Sequence, residues 1–207
     1  MNREPATLII LAGGEAKRMG FPKHQLVVDG GRVLDTLHDR LSPLFVETLV
    51  AGRDIEDPPP GARLVKDLYT LRAALVGIHA GLAASMTDLT FVIGCDMPFV
   101  KPALVEYLLS QADGFDAVIP VVRGYHEPLC AAYRKSCLNS IERLIERGVL
   151  KISAVYPLVE TREIPEPELK PFDPELRSIA NLNEPSTINR SPRFLLDGLC
   201  SIPRRER

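Results

Sequence analysis

The residues best suited to chemistry lie in a loop that follows a short apolar segment. The loop reads LAGGEAKRMGFPK over residues 11–23 and contains Gly13, Gly14, Arg18 and Lys23. Because glycine has no side chain, the backbone N–H groups at Gly13 and Gly14 can approach a phosphate closely. Arg18 and Lys23 bring full positive charges to the same anion. The combination predicts a triphosphate-binding loop; the alternative is an ordinary tight turn with solvated basic residues.

Two familiar phosphate-binding motifs do not account for this loop. A P-loop requires GxxxxGK[ST], which the sequence lacks. A dinucleotide-binding fingerprint requires GxGxxG and a later acidic residue, and Gly13, Gly14 and Gly20 do not have that spacing. The nucleotide, if one binds, is held by a different arrangement.

A single carboxylate, Asp96, is the second candidate for chemistry. It ends the strand-like segment VIGCDMP, and Pro98 turns the chain away after it. A hard carboxylate at such a position suits Mg²⁺, which commonly binds one or two carboxylates together with substrate phosphates. The alternative is that Asp96 caps the following turn.

Further polar residues occur near position 126 and near position 181. HEPLC begins with His126 but lacks the second histidine of the zinc-binding pattern HExxH, and Pro128 opposes a helix. Asn181 and Asn183 stand before Pro185, a pattern typical of a helix cap. The four cysteines form no CxxC pair, so nothing indicates a zinc ribbon or a thioredoxin-like site.

Strand-like and helix-like segments alternate along the chain, which predicts an α/β fold with a mostly parallel sheet and helices on both faces. Ligands of open α/β sheets bind beyond the carboxyl ends of the strands, where the opening loop and Asp96 would both lie. Residues 165–177 are predicted to form a loop. The predicted strands are 6–12, 45–52, 62–67, 89–96, 116–122 and 155–164, and the predicted helices are 32–41, 71–84, 101–111 and 136–147.

Length and composition favour one globular domain. The chain has 207 residues, a net charge of -2 and 45% hydrophobic residues. We predict a single domain over residues 1–190 and a C-terminal tail over 191–207. The balanced charge argues against a general nucleic-acid binder, and no apolar run suits a membrane span. The first residues lack a secretory signal, so we expect a cytoplasmic protein.

Several motifs resemble those of one enzyme family. LAGGEAKRMGFPKHQL is similar to LAGGxSxRMGxxKxxL, the opening motif of nucleotidyltransferases that activate small phosphorylated molecules, and especially of the molybdenum cofactor guanylyltransferases. Asp67 with LRAALVGIHAGL resembles an aspartate followed by GPLAGI, and IGCDMPFV resembles CDxP. HEPLCAAY resembles HPLxxxY, and NLNEPSTI resembles NxNTPEDL. The motifs come in the family's order and span nearly the whole chain, although Ala16 replaces a serine and Pro22 an acidic residue.

The resemblance implies a Rossmann-like three-layer sandwich of the nucleotide-diphospho-sugar transferase type, and nucleotidyl transfer as the reaction. A terminal phosphate of the acceptor attacks the α-phosphorus of the triphosphate, and pyrophosphate leaves. By resemblance the donor is GTP and the acceptor is Mo-molybdopterin, which gives molybdopterin guanine dinucleotide. Mg²⁺ bound by Asp96 would bridge phosphates. Arg18 would stabilise the leaving pyrophosphate, and Lys23 would hold the triphosphate.

The resemblance also assigns binding residues and partners. Asp67 would contact the nucleoside, and His126 would lie near the second substrate. Molybdenum-insertion proteins and apo-molybdoenzymes would be partners, and we expect a monomer or a weak oligomer. The expected nucleotide-binding residues are Leu11, Ala12, Gly13, Gly14, Lys23, Asp67 and Asp96, and the expected substrate-binding residues are His126, Asn181 and Asn183.

Three alternatives stay open. Ala73 and Ala74 replace the family's glycine and proline, so a cytidylyltransferase of the same superfamily is the main enzymatic alternative. Gly13 favours the guanylyl branch, because cytidylyl enzymes usually have LAAG there. A sugar-phosphate nucleotidyltransferase would commonly be longer. A binding protein without catalysis would not need Asp96 together with Arg18 and Lys23.

Overall fold

An eight-stranded sheet forms the middle layer of the protein in a computed structural model, which describes residues 4–13, 27–28, 31–53 and 55–180. The strands of that sheet are β1 (Ala6–Leu11), β4 (Glu47–Ala51), β5 (Arg63–Val65), β6 (Leu89–Gly94), β7 (Ala117–Val122), β8 (Tyr125–His126), β9 (Cys130–Arg134) and β10 (Thr161–Pro165). A separate two-stranded ribbon joins β2 (Val27–Val28) to β3 (Gly31–Arg32). The helices are α1 (Val33–Leu41), α2 (Ala74–Ala84), α3 (Pro102–Ser110), α4 (Leu138–Glu146) and α5 (Glu166–Leu169).

The strand order is β10-β7-β9-β6-β1-β4-β5, with β8 paired to β7. Strands β6, β1, β4 and β5 are parallel neighbours, and β10 is parallel to β7. Strand β9 runs antiparallel between β6 and β7. The chain leaves β1 toward β4 and later returns to the other side of β1 as β6. A crevice therefore opens between β1 and β6 at their carboxyl ends, the position where such sheets bind ligands.

Two hydrophobic cores fill the spaces above and below the sheet. Every residue of β1 and of β6 is buried, which explains why both segments are continuous apolar runs. Alternate residues of β1 face opposite cores: Leu8 and Ile10 pack with α1 and α3, and Ile9 and Leu11 pack with α2. The predicted α/β fold with a mostly parallel sheet is confirmed.

The structure corrects several element boundaries. The predicted late strand begins at Thr161, because residues 152–154 and 156–158 form 3₁₀ turns that place Val155 and Tyr156 in the core. Helix α2 begins at Ala74 instead of residue 71. Residues 166–169 form a short helix where a loop was predicted. Strand β9 was not predicted. It has only five residues and begins two residues after Pro128, so its apolar residues resemble part of a turn.

Two other predictions concern where the domain ends and whether a segment of the chain crosses a membrane. The domain boundary at residue 190 and the tail 191–207 lie outside the described residues and stay predictions. Among the described residues, no helix has the length and apolar character that a bilayer crossing requires.

Candidate active site at the carboxyl ends of the strands

Backbone hydrogen bonds join the chain segments that leave the sheet at the carboxyl ends of the parallel strands. The Ala12 N–H donates to the Ala51 carbonyl oxygen at 2.9 Å, and the Cys95 N–H donates to the Leu11 carbonyl oxygen at 3.1 Å. The Gly94 N–H donates to the Leu129 carbonyl oxygen at 2.8 Å. The loops after β1, β4 and β6 and the loop before β9 therefore form one continuous surface.

Asp96 lies at the centre of this surface and is 6% exposed. Its Oδ1 atom is 2.7 Å from the place where a Cβ atom on Gly94 would stand, and Leu129 Cβ is 3.5 Å from that place. Any side chain at position 94 would therefore displace the carboxylate. The turn after Asp96 is held by Arg40, which donates to the carbonyl oxygens of Pro98 and Val100.

The donor set around Asp96 fits Mg²⁺ better than a metal that needs a protein cage. Among the described residues, no group of three or more His, Cys, Asp or Glu side chains could enclose a metal ion. Mg²⁺ usually keeps water ligands and binds one or two carboxylates together with substrate phosphates. One buried carboxylate at the carboxyl end of β6 is sufficient for that arrangement.

On one flank of Asp96 lies the β4–β5 side, which comprises residues 51–53 and 65–73. Arg53 Nε donates to Asp67 Oδ2 at 2.9 Å, and Arg53 Nη2 donates to the Tyr69 and Leu71 carbonyl oxygens at 2.5 and 3.4 Å. One guanidinium therefore connects the end of β4 to the whole loop between β5 and α2. A cavity of about 440 Å³ opens beside it, lined by Gly52, Arg53, Ile55, Glu56, Leu64, Lys66 and Asp67.

Gly52 brings the β4–β5 side against the first loop. A Cβ atom at this position would stand 2.9 Å from the Gly13 nitrogen and 3.1 Å from the Ala12 carbonyl carbon. Only glycine permits this approach, because such contacts are too short for real Cβ atoms. The backbone at Ala12 and Gly13 thus faces the same cavity edge as Asp67.

Tyr69 in the same loop is supported from the helix layer. Its ring makes an edge contact with the His79 ring, with centroids 5.3 Å apart. His79 in α2 is 2% exposed, and its Nε2 atom is 3.0 Å from Glu142 Oε1 in α4. The loop that contains Asp67 is therefore fixed by two helices as well as by Arg53.

On the other flank of Asp96 lies the β7–β9 side, which comprises residues 120–133 with Tyr156 and Glu163. His126 Nε2 is 2.7 Å from Glu163 Oε1, and the His126 and Tyr156 ring centroids are 4.8 Å apart. Beneath them, the Tyr133 hydroxyl donates to the Pro128 carbonyl oxygen at 3.0 Å. His126 therefore lies at the same end of the sheet as Asp96.

Burial keeps both tyrosine hydroxyls of this side neutral. Desolvation raises the pKa of Tyr156 to about 12 and holds the pKa of Tyr133 well above its ordinary value. Burial likewise raises the pKa of Cys130, whose thiol is enclosed in the core. These groups are therefore neutral near pH 7 and contribute packing, and the Tyr133 hydroxyl also donates a hydrogen bond.

The structure places each predicted site residue that it describes at the carboxyl end of the parallel strands. Asp96 lies between Leu11, Ala12, Gly13 and Asp67 on one flank and His126 on the other. The predicted residues outside the described ranges are Gly14, Arg18, Lys23, Asn181 and Asn183. Sequence reasoning missed Arg53, Tyr156 and Glu163. Arg53 follows a predicted strand end directly, which is the signal that would have found it, whereas nothing local marks the other two.

Comparisons with known proteins agree with this geometry. The MobA-like NTP transferase domain matches residues 8–160. A molybdenum cofactor guanylyltransferase from Desulfosudis oleivorans is 34% identical over 96% of this chain and 100% of its own length. A probable molybdenum cofactor guanylyltransferase from Pelotomaculum thermopropionicum is 33% identical over 88% of this chain and 90% of its own length.

Solved structures give the same result. Molybdopterin-guanine dinucleotide biosynthesis protein A from Archaeoglobus fulgidus superposes with a TM-score of 0.77 at 30% identity, over 89% of this chain and 96% of that chain. The 2-C-methyl-D-erythritol 4-phosphate cytidylyltransferase from Thermus thermophilus has a TM-score of 0.67 at 19% identity, over 89% of this chain and 96% of that chain, and shares the fold. The chain therefore belongs to the MobA-like NTP transferase family and is a nucleotidyltransferase.

Proposed function

We propose that this protein is a molybdenum cofactor guanylyltransferase, which transfers GMP from GTP to Mo-molybdopterin and releases pyrophosphate. The observation that supports this assignment most strongly is the position of Asp96. Its buried carboxylate lies in the crevice between β1 and β6, with Asp67 on one flank and His126 on the other. Relatives named for this activity match nearly the whole chain.

In the proposed reaction, the protein aligns two anions that repel each other. The acceptor phosphate is already anionic near neutral pH, so no strong general base is needed. Ala12 and Gly13 offer backbone to the nucleotide, and Asp67, oriented by Arg53, contacts the nucleoside. His126 orients the acceptor. Holding both substrates in line removes most of the entropic part of the barrier.

Asp96 is the proposed ligand of Mg²⁺. When bound, this ion would supply the positive charge that neutralises the charge developing as pyrophosphate leaves. Gly94 gives the Asp96 carboxylate its position, and Arg40 fixes the turn behind it.

Five further residues take part by resemblance. We assign Gly14 and Lys23 to triphosphate binding, Arg18 to the leaving pyrophosphate, and Asn181 with Asn183 to the pterin. All lie outside the described residues. Molybdenum-insertion proteins and apo-molybdoenzymes as partners, the cytoplasmic location and the monomeric or weakly oligomeric state also stay predictions from the sequence.

One observation favours a second candidate, a cytidylyltransferase. Ala73 and Ala74 stand at the start of α2, Ala73 in the cap position, where the family has glycine and proline. This start of α2 directly follows the loop that contains Asp67. If the base lies in the nearby cavity, the substitutions change its border and with it the choice of nucleotide.

Titration calorimetry of GTP, CTP and ATP, with and without Mg²⁺, is the first test. We expect Mg²⁺-dependent binding with a preference for GTP, followed by pyrophosphate release when molybdopterin and molybdate are supplied. A preference for CTP would instead support the second candidate, a cytidylyltransferase. Failure to bind any of the three nucleotides would contradict the proposal.

A further inference from the structure

We propose that Glu163 and Tyr156 are positioning residues that hold the His126 imidazole in one orientation and one tautomer toward the acceptor substrate. The inference rests on the proposed function, in which His126 orients that substrate. Neither Glu163 nor Tyr156 belongs to a motif that resembles the family. Both come from the segment after α4, far along the chain from His126.

Glu163 determines which ring nitrogen of His126 bears a proton. An ionised carboxylate can only accept hydrogen bonds, so the contact of 2.7 Å between Glu163 Oε1 and His126 Nε2 requires a proton on Nε2. The other ring nitrogen, Nδ1, is then the atom offered to a ligand. A carboxylate that fixes a histidine tautomer in this way is a common device at functional sites.

The strand register makes this contact a fixed property of the fold. His126 pairs with Val121 of β7, and Glu163 pairs with Ile119 of the same strand. Pairing with the same strand, β7, therefore fixes the positions of both residues along the sheet. The contact does not depend on a mobile terminus or on a long loop.

Tyr156 supplies the second constraint, because its ring packs against the His126 imidazole. It is 8% exposed, and its ring lies against the His126 ring with the planes inclined at 54°. Its buried hydroxyl has no hydrogen-bond partner among the described residues. The ring contact, and not the hydroxyl, is therefore the part of Tyr156 that we expect to matter. Glu163 and Tyr156 contact His126 across the fold, and Tyr125 and Glu127 are its ionisable neighbours in the chain.

The position of His126 is linked to the position of Asp96. His126 begins the segment that continues through Pro128 and Leu129, and the Leu129 carbonyl oxygen accepts the Gly94 N–H at 2.8 Å. Leu129 Cβ and Asp96 Oδ1 both border the space above Gly94. A shift of the segment 126–129 would therefore change the space above Gly94 that the proposed metal carboxylate also borders.

Nitrogen-15 NMR of the His126 side chain tests the inference without any substrate. At a pH where the ring is neutral, the wild-type protein is expected to show a single Nε2-protonated tautomer. Glu163→Ala should give averaged signals of both tautomers, and Glu163→Gln, whose amide oxygen still accepts a hydrogen bond, should keep one. A wild-type ring that already averages both tautomers would overturn the inference.

Steady-state kinetics supply the second readout. Loss of this hydrogen bond, which is partly exposed to solvent, is expected to raise the KM for molybdopterin about threefold in Glu163→Ala, with the KM for GTP unchanged. Tyr156→Leu should act in the same direction, and Tyr156→Phe should have little effect. Glu146→Ala removes an exposed carboxylate at the end of α4 and is the matched control.

A double-mutant cycle separates positioning from a general structural effect. If Glu163 acts through His126, then Glu163→Ala adds nothing in a His126→Ala background. Equal and additive losses, or an equal rise in both KM values, would contradict the inference. Absence of transfer by the wild-type protein would count against the proposed function instead, and the tautomer measurement would still decide the role of Glu163.

Discussion

The two flanks of Asp96 are built in different ways. On the β4–β5 side, parallel strands deliver their loops to the same edge, and a partly exposed guanidinium, Arg53, ties the loops together. On the β7–β9 side, antiparallel β9 leads the chain away from this edge, and buried aromatic rings support the turn that precedes it. One guanidinium therefore organises the flank that we assign to the nucleotide. Buried rings, together with the Glu163–His126 contact, organise the flank that we assign to the acceptor.

The difference indicates how the two flanks respond to mutation. A hydrogen-bonded loop near solvent can lose one partner and still remain folded, so its variants should change affinity. A flank built on buried rings and strand register transmits changes into the core, so its variants should also change stability. Asp96 lies between the two and should affect neither binding nor stability as strongly as it affects turnover.

The largest expected effect is that of Asp96→Asn. Loss of the proposed metal carboxylate should lower kcat by about 10³-fold, about 4 kcal/mol of transition-state stabilisation, because charge develops next to it. Pyrophosphate release measures kcat, and calorimetry measures GTP affinity, which should fall much less. Asp113→Asn, in an exposed turn, is the control. Equal losses of turnover and of GTP affinity would contradict the assignment of Asp96 as the metal carboxylate between the two flanks.

The next largest effect concerns Asp173, which is fully buried and anchors the segment after α5. Lys101 Nζ lies 2.8 Å from Asp173 Oδ1, and the Ser178 N–H donates to Asp173 Oδ2 at 2.6 Å. Asp173→Asn leaves Lys101 without its buried partner, so we expect the free energy of unfolding in urea to fall by about 2 to 3 kcal/mol. Asp113→Asn, the same substitution in an exposed turn, is the control.

The same pair gives a pH dependence. Burial by itself raises the pKa of Asp173, but the hydrogen bonds from Lys101 and Ser178 together outweigh it and lower that pKa below its ordinary value. A lowered pKa means that the stabilisation is complete above about pH 4 and is lost as the pH falls through the pKa of the folded protein. The difference in unfolding free energy between wild type and Asp173→Asn should therefore shrink below pH 4. A difference that does not change with pH would contradict this account.

A smaller effect is expected for Arg53→Ala. Loss of the guanidinium that orients Asp67 should raise the KM for GTP about tenfold, about 1.4 kcal/mol, and leave the KM for molybdopterin unchanged. Arg63→Ala removes an arginine paired with Glu47 near the amino ends of the strands and is the control. If Arg53→Ala raises both KM values equally, the two flanks are not independent.

The smallest effect is expected at the turn between β7 and β8. Arg123 has a φ of 51°, a conformation that asparagine adopts more readily than arginine. Arg123→Asn should raise the free energy of unfolding by about 0.5 kcal/mol without a change in kcat. Gly124→Ala, at a φ of 79°, should lower it by about 1 kcal/mol. Thermal unfolding of both variants measures the strain on this flank.

The sequence predicted the centre of the sheet better than the β7–β9 side, for a physical reason. Parallel strands that are buried on both faces are continuous apolar runs, so ATLIIL and LTFVIG can be recognised as strands from the sequence alone. The ends of these two strands then give the positions of Gly13 and Asp96. In contrast, β9 is short and follows a proline turn. The late strand was predicted to begin too early, because Val155 and Tyr156 look like strand residues. Both are apolar because they pack into the core, and they do not pair with another strand.

By itself, the sequence determined the class of fold, the strand ends that face the ligand and the chemical types of residue that meet there. These follow from local periodicity and from motifs whose residues lie close together in the chain. Only the tertiary structure decided that Arg53 orients Asp67, that Glu163 and Tyr156 hold His126, and that Gly94 makes room for Asp96. Contacts between distant segments depend on strand order and register, which no local pattern encodes, because they arise when the whole sheet assembles.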